Sequence, residues 1–216
     1  MAHYLALETS AQICSVAVSN NLKVLAENTI DLPNSHSTQI IALVTKTLSQ
    51  AKVDSQTIDY IVVNDGPGSY TGLRIGCATA KGLCFTSKAQ LLAANPFKAI
   101  AKENSGNDVI AVIHARKDEA YRVIMNSSNQ IIAALEVFKI NDILKEIKNY
   151  NRPLRVVALQ NEILKEGLCN IADIGWHKPL VASNLIKQAN QLHSLADYCD
   201  LAYYEPNYHR LPLGVS

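Results

Sequence analysis

Residues 66–76 have the sequence Gly-Pro-Gly-Ser-Tyr-Thr-Gly-Leu-Arg-Ile-Gly and connect an apolar, strand-like run ending at Val63 to a helix-like run that reaches Phe85. Glycines on both sides of a proline let the backbone turn sharply and lie close to its surroundings. Ser69 or Thr71 is a suitable N-cap for the helix, which leaves backbone N–H groups available at its start. The segment therefore predicts a strand, a tight turn and a helix, in that order.

Small residues recur inside this predicted helix. Gly72, Gly76 and Ala80 are four residues apart and share one helix face. Glycine costs a helix roughly 1 kcal/mol relative to alanine, so two glycines on one stripe indicate very close packing there. We predict that a second chain packs on the stripe; the alternative is the chain's own sheet or the helix after His36. The predicted association surface consists of Gly68, Ser69, Tyr70, Thr71, Gly72, Leu73, Gly76, Cys77, Ala80 and Leu83.

Composition limits the class of protein. The chain has 216 residues, 18% of them charged, and a formal net charge of +1. This near-neutral balance, without a block of lysine and arginine, argues against autonomous tRNA binding. The five cysteines include no CxxC pair, so neither a disulfide framework nor a zinc site is predicted. The sequence shows no signal peptide and no apolar run long enough to span a membrane, so we expect a cytoplasmic protein.

Hydrophobic periodicity alternates between strand-like and helix-like segments, which is typical of a mixed α/β protein. Ser183 is the predicted cap of a last helix, and the segment 160–178 is ambiguous. The polar stretch 104–108 is the predicted boundary between two lobes. Strands are predicted at 4–7, 13–19, 22–30, 58–64, 91–94, 109–114, 121–125, 131–138 and 154–159; helices are predicted from 40, 71, 96, 140 and 183. The predicted organisation is an N-terminal lobe over 1–105, on which a helix at 183–199 packs back, a smaller lobe over 106–182, and a tail over 200–216.

Several short motifs occur in a characteristic order around the glycine turn. Leu7-Glu8-Thr9-Ser10 precedes the strand 14–18, His36-Ser37 precedes an apolar helix, and 115–121 and 205–210 follow later in the chain. Together with 66–76, they resemble the TsaB (YeaZ-like) family. The resemblance covers the first half of the chain most strongly. It implies an actin-like ATPase (ASKHA) fold with two ribonuclease-H-like lobes, of which the second is shortened.

The resemblance also suggests where chemistry could lie. In actin-like ATPases the first hairpin brings an acid and small hydroxyls to the phosphates, and Glu8, Thr9 and Ser10 occupy the matching turn. The alternative is a Glu8 carboxylate that is hydrogen-bonded to nearby backbone. The glycine turn is not a Walker A loop, because no Lys-Ser/Thr pair follows it. The related catalytic protein TsaD shares the Gly-Pro-Gly helix and carries an HxxxH metal motif, but the matching positions here are Pro96 and Ile100, which cannot bind a metal.

The resemblance implies a noncatalytic accessory subunit rather than an enzyme. Such a subunit dimerises with TsaD, works with the ATPase TsaE, and meets tRNA only through the complex; self-association as a homodimer is also implied. We expect no metal or cofactor on the isolated chain, although ATP or ADP could bind at an interface shared with the partner. His114 stands where the family usually has an aspartate before Ala115-Arg116, so the role of that turn stays open between an ion pair and a simple charged turn. The alternative functions are an independent actin-like phosphotransferase, a metallopeptidase-like hydrolase, and a homodimeric scaffold without a role in tRNA modification.

Overall fold

The computed structural model describes residues 1–11, 13–31, 36–101, 107–128, 130–171 and 173–208. The chain divides into two compact units: the first combines Met1–Pro96 with the described residues from Leu180 onward, and the second is Phe97–Pro179. The predicted boundary stretch 104–108 lies largely outside the described residues. The division falls instead after Pro96, so that the helix that Pro96 starts belongs almost entirely to the second unit.

The elements follow one another in the order that the periodicity predicts, with two additions. The formerly ambiguous segment 160–178 contains a short helix and a short strand. Among the described residues, none of the helices is long and apolar enough to cross a lipid bilayer. The strands are β1 (His3–Glu8), β2 (Cys14–Asn20), β3 (Lys23–Ile30), β4 (Tyr60–Asn64), β5 (Gln90–Ala94), β6 (Asp108–Arg116), β7 (Glu119–Met125), β8 (Ile131–Lys139), β9 (Leu154–Leu159) and β10 (Ile174–His177). The helices are α1 (His36–Ala51), α2 (Tyr70–Ser87), α3 (Pro96–Ile100), α4 (Ile140–Asn149), α5 (Glu162–Gly167) and α6 (Ala182–Ser194), with a 3₁₀ turn at Ser55–Thr57.

The sheet of the first unit has the order β3-β2-β1-β4-β5. The first three strands form an antiparallel meander, and β4 and β5 run parallel to β1. A hairpin turn at Asn20-Asn21 joins β2 to β3: Asn20 pairs with Lys23, and Asn21 adopts a φ of 49°. Asparagine tolerates this left-handed conformation better than most residues, which is why the chain can reverse there.

Both faces of the central strands of this sheet are buried. Alternate residues of each strand point to opposite faces, so β1 contributes Leu5 and Leu7 to one core and Tyr4 and Ala6 to the other. Helices α1 and α2 cover the first face, and α6 covers the second. The central strands are therefore apolar at nearly every position, which is the pattern of strands that are covered by helices on both sides.

The second unit repeats the same plan on a smaller scale. Its sheet has the order β10-β9-β6-β7-β8, in which β6, β7 and β8 form an antiparallel meander and β9 and β10 run parallel to β6. This order matches that of the first sheet strand for strand. The helices are shorter, with 10 residues in α4 and 6 in α5, against 16 in α1 and 18 in α2. The shortening of the second unit thus lies in its helices.

The start of α6 differs from the prediction. Val181 is the N-cap, and Ser183 lies inside the first turn. The Ser183 N–H and hydroxyl both donate to the Glu27 carboxylate, at 2.8 and 2.9 Å, while the Ala182 N–H donates to Ser15 Oγ at 3.1 Å. The prediction of a Ser183 cap was wrong because side chains of β2 and β3, distant in sequence, satisfy the first N–H groups of the helix.

Candidate functional site

The turn after β1 is built around a buried carboxylate. Glu8 is 0% exposed. Its Oε1 accepts hydrogen bonds from the Ser10 N–H at 2.7 Å and the Ser10 hydroxyl at 2.6 Å, and its Oε2 accepts one from Asn64 Nδ2 at 2.8 Å. Asn64 ends β4, the parallel neighbour of β1, and its Oδ1 accepts from the Gly66 N–H at 2.8 Å. One hydrogen-bond network therefore joins the ends of two strands to the glycine turn.

The electrostatics of this carboxylate reflect its burial. Desolvation raises the pKa of Glu8, and the hydrogen bonds from Ser10 and Asn64 offset this only in part. Thr9 is also buried, and its hydroxyl donates to the Gly72 carbonyl at 2.8 Å. The Ser10 N–H bond agrees with the alternative stated for Glu8, a carboxylate hydrogen-bonded to nearby backbone, to which the Ser10 hydroxyl and Asn64 add two side-chain donors. The polar atoms of Glu8, Thr9 and Ser10 face their own chain, so the geometry gives the phosphate-binding prediction no support.

The glycine turn leads directly into α2. Ser69 is the N-cap, as predicted, and its Oγ accepts from the Gly72 N–H at 3.2 Å. The Ser69 N–H donates to the Ser10 carbonyl at 2.7 Å, which ties the turn to the end of β1. The helix thus starts at a position determined by the Glu8 network.

The small-residue stripe of α2 faces the interior. A Cβ on Gly72 would collide with the Thr9 carbonyl oxygen, and a Cβ on Gly76 would lie 2.5 Å from Thr9 Oγ1. Ala80 and Leu73 are buried in the same unit. The three stripe residues and Leu73 are therefore packed within this chain, as in the alternative stated for the stripe, because α2 follows β4 directly and lays its narrowest face over the β1–β2 turn. Whether the rest of α2 binds a partner stays a prediction.

The outer face of α2 carries the residues that remain accessible. Ser69, Thr71 and Arg74 are exposed near its start, and the predicted surface residues Gly68, Tyr70, Cys77 and Leu83 are half-buried. Phe85, near the helix end, is 84% exposed. Beside it lies an apolar groove of about 600 Å³ that is lined by Lys81, Phe85, Asp200, Leu201 and Ala202. The exposed apolar surface of α2 therefore lies at its carboxyl end, away from the stripe.

The structure also shows the surroundings of the side chains that were considered as metal ligands or nucleophiles. Within the described ranges, no three His, Cys, Asp or Glu side chains are grouped to hold a metal. Pro96 begins α3 and Ile100 is buried. All five cysteines are free thiols, and burial raises the pKa of Cys84 to about 12. Such a thiol stays protonated at neutral pH and packs as a small apolar residue.

His114 lies near the end of β6, next to the turn that leads to β7. His114 Nε2 lies 3.0 Å from the Lys117 carbonyl oxygen, and Arg116 Nε lies 3.2 Å from a Glu119 carboxylate oxygen. The turn therefore contains an ion pair between Arg116 and Glu119 as well as the hydrogen bond of His114. It is a charged connection between two strands, in which His114 stabilises the backbone.

Sequence reasoning missed two polar residues at the centre of the site. Asn64 bridges Glu8 and the glycine turn, and Asp65 accepts hydrogen bonds from Tyr204 and Asn207 in the tail. A signal was present, because the two polar residues directly follow an apolar strand and precede the glycine turn. Polar residues at the carboxyl end of a buried parallel strand often meet others across the sheet. Their partners, however, are distant in sequence.

The two lobes have the same strand order. The first lobe also has a buried acid at its first turn and a glycine turn that leads into a helix. These features define a protein with the actin-like ATPase fold. The predicted fold class is confirmed, since solved structures of that fold match the chain, among them YeaZ from Pseudomonas aeruginosa with a TM-score of 0.77 and 22% identity, over 96% of this chain and 100% of that chain.

The family follows from sequence comparison. The model of the family "TsaD: tRNA N6-adenosine threonylcarbamoyltransferase" matches residues 23–203, and the chain belongs to this family as a member of its TsaB (YeaZ-like) branch. It is 27% identical to the tRNA threonylcarbamoyladenosine biosynthesis protein TsaB of Bacillus subtilis, over 93% of this chain and 95% of that protein. It is 26% identical to the TsaB protein of Buchnera aphidicola from Acyrthosiphon pisum, over 74% of this chain and 76% of that protein.

Proposed function

We propose that this chain is a noncatalytic accessory subunit in the biosynthesis of threonylcarbamoyladenosine in tRNA. It binds and activates a TsaD-type transferase, which transfers the threonylcarbamoyl group to the adenosine beside the anticodon of ANN-decoding tRNAs, with TsaE as the associated ATPase. The chain meets tRNA through this complex, works in the cytoplasm, and self-associates as a homodimer when the partner is absent. The similarity to proteins named for this pathway supports the proposal.

The outer face of α2 is the observation that carries the binding part of the proposal. The Phe85 side chain is 84% exposed to water. Its burial against a partner would contribute about 25 cal/mol of binding free energy per Å² of apolar surface removed from water. Ile41 on α1 is exposed as well, and α1 and α2 cover the same face of the sheet. A two-helix layer with apolar residues on its outer side suits packing against an equivalent layer. We take a TsaD-type chain as the partner on this surface, because the family model for TsaD also matches this chain, so that such a chain would carry an equivalent layer.

The closed turn at Glu8 supports the noncatalytic part of the proposal. In an actin-like ATPase the acid of this turn must be available to phosphate, whereas here both carboxylate oxygens already accept hydrogen bonds from the same unit. The chain then acts by binding one state of its partner better than another, which shifts the partner's conformational equilibrium. We place any bound ATP or ADP at the interface shared with the partner.

Reconstitution of tRNA modification from purified components tests the activity. Threonylcarbamoyladenosine formation by the transferase, TsaE and tRNA should rise strongly when this chain is added, and equal rates with and without it would contradict the proposal. Affinity for the transferase is measured in parallel by calorimetry. Phe85→Glu should weaken binding by roughly 30-fold, since a central aromatic residue contributes about 2 kcal/mol or more to an interface.

A matched control separates the α2 face from general surface effects. Leu195 is the C-cap of α6 and is 68% exposed. Helix α6 covers the opposite face of the sheet from α2. Leu195→Glu should therefore bind the transferase as the wild type does. If Phe85→Glu binds normally while folded, or if both variants lose binding equally, the outer face of α2 is not the binding surface.

A further inference from the structure

The tail after α6 returns to the glycine turn and is held there by one acidic residue. The Tyr204 hydroxyl donates to Asp65 Oδ1 at 3.1 Å, and Asn207 Nδ2 donates to Asp65 Oδ2 at 3.1 Å. The Asn207 N–H also donates to the Asp65 carbonyl at 2.8 Å. We call the segment 204–208 the strap. Asp65 thus binds the strap at both Tyr204 and Asn207.

The strap lies directly against the glycine turn. Gly66 has a φ of +98°, and a Cβ at this position would collide with the Asn207 carbonyl oxygen. Pro206 is buried. The turn therefore provides both the carboxylate that binds the strap and the space in which its backbone rests. Contact this close requires that the strap is seated in one defined position.

Asp65, the residue that accepts the hydrogen bonds of the strap, is well suited to this role. Burial first, and the Asp65 carboxylate second, raise the pKa of Tyr204, so its phenol is a protonated donor at neutral pH. Hydrogen bonds to a charged carboxylate are stronger than those between neutral groups. Replacement of the carboxylate by an amide leaves one acceptor oxygen in place of two and removes the charge, so both donors cannot keep the bonds that they make to Asp65.

The outer end of the strap adds an aromatic side chain to the start of α2. The Tyr208 ring lies 4.7 Å from the Tyr70 ring, and the Arg74 guanidinium lies 4.2 Å from the Tyr70 ring centre and 5.6 Å from that of Tyr208. Arg74 Nε also donates to the Tyr208 hydroxyl at 3.4 Å. Tyrosine and arginine are enriched among the residues that dominate binding energy at interfaces. Tyr208 belongs to this cluster only while the strap is seated.

We propose that Asp65 is a positioning residue: it fastens the strap across the start of α2 and so makes Tyr208 part of the surface that binds the TsaD-type transferase. The second part of this inference rests on the proposed function, whereas the fastening does not. The partner-binding face then extends from Phe85 at one end of α2 to the Tyr70–Arg74–Tyr208 cluster at the other.

The variant Asp65→Asn tests both parts. Hydrogen exchange of the Tyr204 and Asn207 backbone amides, which donate to Asp200 and Asp65, should accelerate by about tenfold or more. The reason is that a hydrogen bond to a charged group contributes about 1.5 kcal/mol or more, which corresponds to a factor of about ten. Amides in the middle of α2 serve as the internal reference. Affinity for the transferase should fall by a similar factor. The matched control is Tyr203→Ser, since Tyr203 is 85% exposed beside the strap, and this variant should change neither quantity.

Rescue separates positioning from a general loss of structure. In the double variant Asp65→Asn/Asn207→Asp, the amide and the carboxylate exchange places, so slow exchange and affinity should both return. A merely disruptive substitution would not be rescued in this way. If Asp65→Asn does not fold, Tyr204→Phe removes one donor only and should accelerate exchange of the strap by a smaller factor.

The outcomes are distinct. Unchanged exchange of the strap in a folded Asp65→Asn variant overturns the fastening. Faster exchange with unchanged affinity overturns the role of the strap in the binding surface. If the wild-type chain itself does not bind the transferase, the proposed function and the second part of the inference fail together, while hydrogen exchange still decides the first part.

Discussion

The contact between α2 and Thr9 makes a strong prediction about stability. Gly76→Ala adds a Cβ 2.5 Å from Thr9 Oγ1, and the hydroxyl must move away from the Gly72 carbonyl that it now binds. Overpacking of a core costs about 1–3 kcal/mol, and the lost hydrogen bond costs about 1 kcal/mol. The gain in helix propensity is only about 1 kcal/mol. We therefore expect a net loss of about 1–3 kcal/mol.

Gly82 provides the control in the same helix. A Cβ on Gly82 would meet no atom within 4 Å, so Gly82→Ala should stabilise the protein by about 1 kcal/mol. Thermal unfolding followed by circular dichroism should separate the two variants by roughly 10 °C, at about 2–4 °C per kcal/mol for a chain of this size. Thr9→Ala in the Gly76→Ala background should recover part of the loss. If Gly76→Ala is as stable as Gly82→Ala, the stripe does not pack on Thr9 and the reasoning fails.

Three further expectations concern individual polar and titratable side chains. Because the pKa of Glu8 is raised in the folded state, its contribution to stability should be full below about pH 4.5 and decline as the pH rises through the folded pKa; Glu8→Gln should remove this decline in urea titrations, and an unchanged pH profile would contradict it. Glu27→Ala should cost about 1–2 kcal/mol through the loss of its bonds to Ser183 and should accelerate hydrogen exchange at the start of α6, which an unchanged exchange rate would refute. With a thiol reagent, exposed Cys169 should react rapidly and buried Cys84, its pKa raised to about 12, only on unfolding; equal rates would show that the burial is wrong.

The local features of this protein are determined by short segments of sequence. The asparagine hairpin and the Ser69 cap depend on neighbouring residues, and the structure confirms the predicted cap. The order of strands and helices by itself indicates a mixed α/β protein. The actin-like fold class was predicted from the resemblance of the ordered motifs to the TsaB (YeaZ-like) family. The weak periodicity of 160–178 left α5 and β10 unpredicted, since each has six residues or fewer and neither completes two helical turns or a long strand.

Only the tertiary structure decided which surfaces meet. The sequence indicates that something packs closely on Gly72 and Gly76, but the spacing is the same whether the neighbour is a second chain or Thr9, which lies more than sixty residues away. The Ser183 N–H in the first turn of α6 donates to Glu27, 156 residues earlier, and Asp65 binds Asn207 across 142 residues. Each of these contacts joins polar residues that lie far apart in the sequence. Hydrophobic periodicity is a local pattern and does not predict such contacts. They form only when the sheet brings the strand ends together. The free energy gained by burying the core offsets the entropy cost of closing these long loops, which local conformational preferences alone would not offset.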